Sequence, residues 1–499
     1  MKKLLVFGIS FFALFALIAC EEVTTTNTTA AATTTTTTAE VCDVDANGIC
    51  VYNDGSIEWE EDLSGNKLVV QVGVDVAGLA PAIEAAWNAA YPAMTGLVDA
   101  IVYEASDSES SGVTGIVTLQ GAAPDIAIII GSGSVGREVN FLDLSSYMED
   151  VIANDVLQSG LAAVNSGDVV HYLPGVYDGM AFAWNKTMFE YFISTEQLDI
   201  VLTDTNGDNL PDAFDTWEEI FAIADALTER LEFVYRMDGA EADTVQTIYE
   251  IYPLCLGQEW SNYSAYSAGG FSLFPDNNPL QPGFDTDEFL AGLAFMADFS
   301  THAMSFQTDG TTKLLAASMG WRWDNFLHNQ YPFGLVGTWM DVETNENTYN
   351  ADFVFSPMPT YDGVQLSPIV KTKGFVVNIY SDCPGAAVTV LQFIYSQAGM
   401  TTISDNSSYL LALEAESALI PTTLNENKLQ FGFALGFGFN EPAIALPNNP
   451  SVLAVNVLYN SGITAAQSAV YDGSMTPLAA QTAIVAAAAT WIADNNVAE

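Results

Sequence analysis

Five apolar residues in a row, Ile126 to Ile130, stop at Gly131-Ser132-Gly133. A run this short and continuous, entered through Pro124-Asp125 and ended by glycines, marks a strand buried on both faces that opens into a loop. The sequence around it repeats the theme. Lys67–Gly73 (KLVVQVG) is mostly β-branched and reads as another buried strand. Ala80–Tyr91 (APAIEAAWNAAY) sets Ile83, Ala86, Trp87 and Ala90 on one helical stripe, and Gly96–Tyr103 is strand-like again. Strands alternating with helices define an α/β fold, whose ligand loops sit at the carboxyl ends of the strands.

The N-terminus carries an address. Lys2 and Lys3 precede sixteen uncharged residues, Leu4–Ala19, a stretch too short to span a bilayer comfortably and typical of a secretory signal. Leu17-Ile18-Ala19-Cys20 resembles the bacterial lipobox. That resemblance implies removal of residues 1–19 and diacylation of Cys20 through its thioether. Glu21–Glu40 is mostly Thr and Ala with no aromatic, so residues 20–64 are expected to form an extended tether. Residues 65–499 are enough for two lobes with separate cores. No later apolar run approaches a membrane span, and Ala479–Trp491 reads as a helix against a core. The expected location is the extracellular face of the cell membrane, held by the lipid anchor alone.

Charge narrows the partners. Against 62 Asp and Glu stand 12 Lys and Arg, a net charge of −50. Such a surface repels phosphate backbones, which argues against nucleic acid, and repels anionic headgroups, which leaves anchoring to the acyl chains. With Cys20 assigned to lipid, Cys42 and Cys50 stand eight apart and suit a small disulfide loop in an oxidising space, while Cys255 and Cys383 read as buried thiols. Four cysteines allow three pairings; Cys42–Cys50 is the one expected.

One acidic run has a specific spacing. From Asp204, oxygen side chains fall at loop positions 1, 3, 5, 9 and 12 (Asp204, Asn206, Asp208, Asp212, Asp215), and Leu210 offers its carbonyl at position 7. This is the EF-hand ligand schedule for a hard cation, closest to a dockerin-type calcium loop. It departs in Asn209, where Gly usually makes the sharp turn, and in Asp215, where Glu is usual. The expected role of Ca2+ is structural. Asp43, Asp45, Asn47 and Asp54 form a weaker echo. Directly after the loop, Thr216-Trp217-Glu218-Glu219 has the form of a capping box, a structural role for its acids. His171, His302 and His328 lie far apart, no nucleophile elbow or phosphate loop occurs, and no catalytic set emerges.

Several segments together carry a resemblance. Pro124-Asp125-Ile126 with its apolar run and Gly-rich loop is similar to the first-lobe strand of family 1 extracellular solute-binding proteins, the maltose-binding type. Tyr172-Leu173-Pro174-Gly175-Val176-Tyr177-Asp178 leading to Trp184-Asn185-Lys186 looks like that family's crossing segment. Thr216–Glu219, Gly337-Thr338-Trp339, Pro357-Met358-Pro359 and Lys373-Gly374-Phe375 match further family segments in order, over roughly residues 65 to 495. The resemblance implies two α/β lobes flanking a cleft, lobe 1 from 65–176 with 370–405 and lobe 2 from 178–366 with 406–499. The chain would cross between them near Tyr177, Ser367 and Asp405.

Carried over residue by residue, Asp178 falls where relatives accept from ligand hydroxyls and Trp339 where they stack an aromatic on a sugar. Trp260 and Tyr263 lie in a segment that usually supplies another ring, and Ser132 and Gly133 on the first-lobe loop, without the acidic and basic residues common there. Trp321 and Trp323 are further ring candidates, whereas Trp184 reads as packing. Aromatic faces with carboxylates and amides suit carbohydrate. The resemblance implies a monomeric receptor that delivers a carbohydrate, an oligosaccharide by preference, to the permease subunits of an ABC importer, with no chemical step of its own. A secreted glycoside hydrolase and a calcium-dependent surface adhesin are the rival readings.

Overall fold

The Ile126–Ile130 run is a strand at the middle of a seven-stranded sheet. The computed structural model describes residues 43–45, 49–52, 57, 67–73, 76–103, 115–131, 134, 137–162, 164–165, 169–227, 232–235, 244–247, 263–275, 278, 280–306, 311–314, 323–368, 370–439 and 457–495. The sheet strands are β1 (Leu68–Gly73), β2 (Val98–Tyr103), β3 (Ile126–Ile130), β4 (Leu173–Asn185), β5 (Phe333–Gly337), β6 (Phe353–Ser356) and β7 (Val370–Val377). Their order is β6-β4-β7-β3-β1-β2, with β5 also paired to β4. β1 runs parallel to β2 and β3, while β7 is antiparallel to both β3 and β4. The protein is thus a mixed α/β structure on a mixed sheet.

The continuous apolar run of β3 has its cause in burial on both sheet faces. Ile126 enters one hydrophobic cluster, while Ala127 and Ile129 enter another with Phe141, Tyr172 and Val376. On the first of these faces lies α1 (Leu79–Ala90), whose expected stripe buries Ile83 and Trp87. The Trp87 ring meets Phe393 edge-on at 5.5 Å. Deleting so fully buried a ring costs about 3–5 kcal/mol.

The described residues that follow the loop at Asp204 form α2 (Trp217–Leu227), and its capping box is made: Glu219 N donates to Thr216 Oγ1 at 3.2 Å and Thr216 N to Glu219 Oε2 at 3.0 Å. Further along come α3 (Asp287–Phe299), α4 (Val342–Tyr349), α5 (Pro384–Ile394), α6 (Gln397–Asp405), α7 (Glu426–Phe439) and α8 (Pro477–Asp494). α8 buries Ala480, Ile484 and Ala488 against its neighbours, as the Ala-rich stretch leads one to expect. Among the described residues no helix is long and apolar enough to cross a membrane.

Two large hydrophobic cores divide these elements. The first gathers α1, α5 and α6 against β1 and β3. The second gathers α2, α3 and α8 around β5, β6 and the end of β4. Three stretches feed both: β4, with Val176 in the first core and Tyr177 in the second; β7, with Phe375 and Val370; and residues 409–413, with Leu413 and Leu410. Residues expected in the tether also join the first core. Ile49 and Ile57 are buried there, and Tyr91 donates its hydroxyl to Asp45 at 2.8 Å. Apolar side chains at these positions gain more from burial than from solvent.

Candidate functional site

Asp178 and Trp339 lie near one end of the β4–β5 ladder. Met180 of β4 pairs with Gly337 of β5, and the next rung is made by Thr338 N donating to the Gly179 carbonyl at 3.0 Å. Thr338 Oγ1 accepts from Gly179 N at 3.2 Å. The ladder ends there: Trp339 lies in the turn after β5, and Asp178 stands two residues before Met180 on β4. The Asp178 carboxylate is almost sealed, 6% exposed, and lies 3.4 Å from Lys371 Nζ, its cross-strand neighbour on β7. Trp339 is half-buried and touches both cores, so its ring stands at their junction. Gly337 makes room for it: a Cβ there would come within 2.4 Å of the ring.

Beside this junction a crevice of about 690 Å³ begins at Met340, one residue past Trp339. One wall is the end of α6 and the turn after it, Ser404–Ser408, which belongs to the first core. The other is the start of α4 and α7, with Asp341, Glu343, Asn425 and Lys428, over Phe355 and Phe431 of the second. A Cβ on Gly78 would lie 3.6 Å from the Asn406 carbonyl, so the turn after α6 packs beside the start of α1. Its lining is chiefly carboxylate, amide and hydroxyl, groups suited to a ligand rich in hydroxyls.

The other candidates fall in different places. Tyr263 is inside the second core, its ring 5.6 Å from Phe271 and its hydroxyl donating to the Phe271 carbonyl at 3.5 Å. Trp184 packs edge-on against Phe214 and donates Nε1 to the Asn209 carbonyl at 2.9 Å, a structural tie. Ser132, Gly133, Trp260, Trp321, Cys20 and Cys42 lie outside the described residues, as does the side chain of Trp323. Cys50 is disulfide-bonded, with its partner outside the described residues, and Cys383 is a buried thiol outside any disulfide. Lys371, Asp405, Asn406 and Lys428 were missed in the sequence. For the two lysines the signal is scarcity, since each lysine in so acidic a chain needs a reason; Asp405 and Asn406 carry none.

The Asp204 loop is ordered by its own oxygens. Asp204 accepts from Gly207 N at 2.6 Å and Asn209 N at 2.9 Å, Asp208 accepts from Leu210 N at 2.8 Å, and Asp212 from Thr205 N at 2.9 Å. Asn209 takes φ +69°, the left-handed turn that Gly usually supplies at position 6 and that Asn tolerates. Asp215 Oδ1 is buried without a hydrogen-bond partner. Burial, and after it the charges of Asp208, Asp212, Glu219 and Asp204, push the Asp215 carboxyl up to about 6. An orphaned carboxylate facing like charges is chemistry that a hard cation relieves. Among the described residues no three Asp, Glu, His or Cys side chains are gathered as a metal cluster; the loop's schedule also draws on Asn206 and the Leu210 carbonyl.

No protein-family model matches the chain, and no curated protein matches it either.

Proposed function

We propose that this chain is an exported, lipid-anchored receptor that captures a carbohydrate between two lobes and hands it to the permease of an ABC importer. The observation that carries the reading is Trp339, whose ring packs against both hydrophobic cores, between which three stretches of chain pass. An indole at such a junction suits the apolar face of a sugar ring, and the hydroxyl, amide and carboxylate groups of the adjoining crevice suit its hydroxyls. The lobes are the two cores with their helices. A ligand touching both favours the closed state by its differential affinity, and no bond is made or broken. Cys20 and the Thr-rich segment after it keep the receptor concentrated beside its permease.

Calcium is proposed as a structural ion at Asp204, Asn206, Asp208, Leu210, Asp212 and Asp215. When bound it supplies positive charge that offsets the clustered carboxylates and fixes the loop ahead of α2, while Trp184 holds the loop from the other side.

Isothermal calorimetry of the chain against a panel of oligosaccharides tests the carbohydrate claim. Saturable binding that is lost in Trp339→Ala supports it; silence across the panel removes it.

A further inference from the structure

Only 12 lysines and arginines occur in 499 residues, and one of them spans the crevice. Lys428 sits in the first turns of α7, whose Phe431 and Ala434 enter the second core. Its ammonium reaches to the end of α6, whose Met400 and Ile403 enter the first core. There it donates to the Ser404 carbonyl, to the Ser407 carbonyl at 3.2 Å and to Ser404 Oγ at 3.4 Å. The last carbonyls of a helix lack intrahelical donors and carry partial negative charge, so a half-buried ammonium there is a strong tie. Burial pulls the Lys428 pKa below the usual lysine value, while Asp405, Glu343 and Asp341 oppose that pull and favour the charged form. The neighbouring contacts of α7 differ in reach. Asn425 bonds Glu343 at 3.0 Å and Asn427 bonds Glu346 at 2.5 Å, both on α4. The Lys428 contact instead passes from one core to the other.

We propose that Lys428 is a positioning residue that latches the two cores across the crevice and so sets the balance between open and closed states. This rests on the two-lobe receptor reading. A ligand entering between the same walls encounters cores already held by Lys428, and the ordering it must impose is correspondingly smaller. Without the ammonium the α6 carbonyls turn to water and the walls part more readily.

The test compares the full chain with Lys428→Met and Lys428→Arg, without ligand, by hydrogen exchange and solution scattering. In Lys428→Met, amides in 404–408 and 425–431 are expected to exchange about tenfold faster, with a larger radius of gyration and unchanged rates in α1 and α3. Lys428→Arg is expected to restore the slow exchange. Unchanged rates at 404–408, or an even rise through both cores that reports plain loss of stability, would overturn the latch. Maltotriose added to the wild-type chain separates the two claims: a binding chain with unaltered exchange in Lys428→Met refutes the latch alone. Faster exchange at 404–408 in a chain that binds no oligosaccharide upholds the latch and counts against the carbohydrate reading.

Discussion

Asp178 and Lys371 face each other at 3.4 Å on paired strands, the carboxylate nearly sealed from solvent and the ammonium side chain 26% exposed. Removing one partner of a buried pair leaves the other uncompensated, at a cost of about 3 kcal/mol. Lys371→Met is therefore expected to lower the urea midpoint by that equivalent. Adding Asp178→Leu to it is expected to recover part of the loss. A single variant as stable as the wild type would mean that Asp178 is held by other groups.

Gly337 is small because the indole of Trp339 lies against it. Gly337→Ala overpacks that contact, which costs about 1–3 kcal/mol if the ring holds still and displaces the ring if it does not. The expected result is a modest drop in melting temperature with about a tenfold loss of oligosaccharide affinity, the scale of an aromatic contact. Full affinity in this variant would take Trp339 out of the binding surface.

Calcium at about a hundred times its dissociation constant is expected to stabilise the chain by about 2.7 kcal/mol, seen as a rise in melting temperature. Asp208→Ala removes a ligand at position 5 and is expected to abolish that rise while leaving oligosaccharide binding intact. Magnesium, smaller and reluctant to shed water, is expected to substitute poorly. A calcium response that survives in Asp208→Ala would assign the ion elsewhere.

His171 is buried, stacked on Phe141 at 6.0 Å, with Nε2 3.3 Å from Ser134 Oγ. Burial lowers its pKa below 6.5, with Glu138 and Asp143 pulling the other way. The folded state thus prefers the neutral ring, and the unfolded chain binds the proton first as pH falls. Stability is present above about pH 6.5 and declines below it, by up to about 1.4 kcal/mol per pH unit until the folded ring also titrates. His171→Gln is expected to flatten this decline between pH 6.5 and 5 in urea titrations, and an identical slope would exclude His171 as its source.

Much of this architecture was legible in periodicity and punctuation. The β3 run, the α1 stripe, the capping box at Thr216 and the Ala-rich α8 each depend on neighbours a few residues away, and the chain states them locally. The Asp178–Lys371 pair and the crevice at Asn406 and Lys428 depend on strand register and helix packing across about 190 residues or less of intervening chain, which spacing does not encode. Tyr263 shows the ambiguity of an aromatic, which suits a ligand or a core alike; here it lies in the second core. Residues 49 and 57 were assigned to a tether by the low complexity that precedes them, although Ile49 and Ile57 themselves are core-forming residues.

A carbohydrate bound between the two cores is expected to draw them together. Solution scattering of the chain with and without a saturating oligosaccharide, chosen as the tightest binder in calorimetry, measures this most directly. The radius of gyration is expected to shrink on saturation and to stay at its ligand-free value in Trp339→Ala. Tight binding with an unchanged radius of gyration would contradict closure, and with it the receptor mechanism.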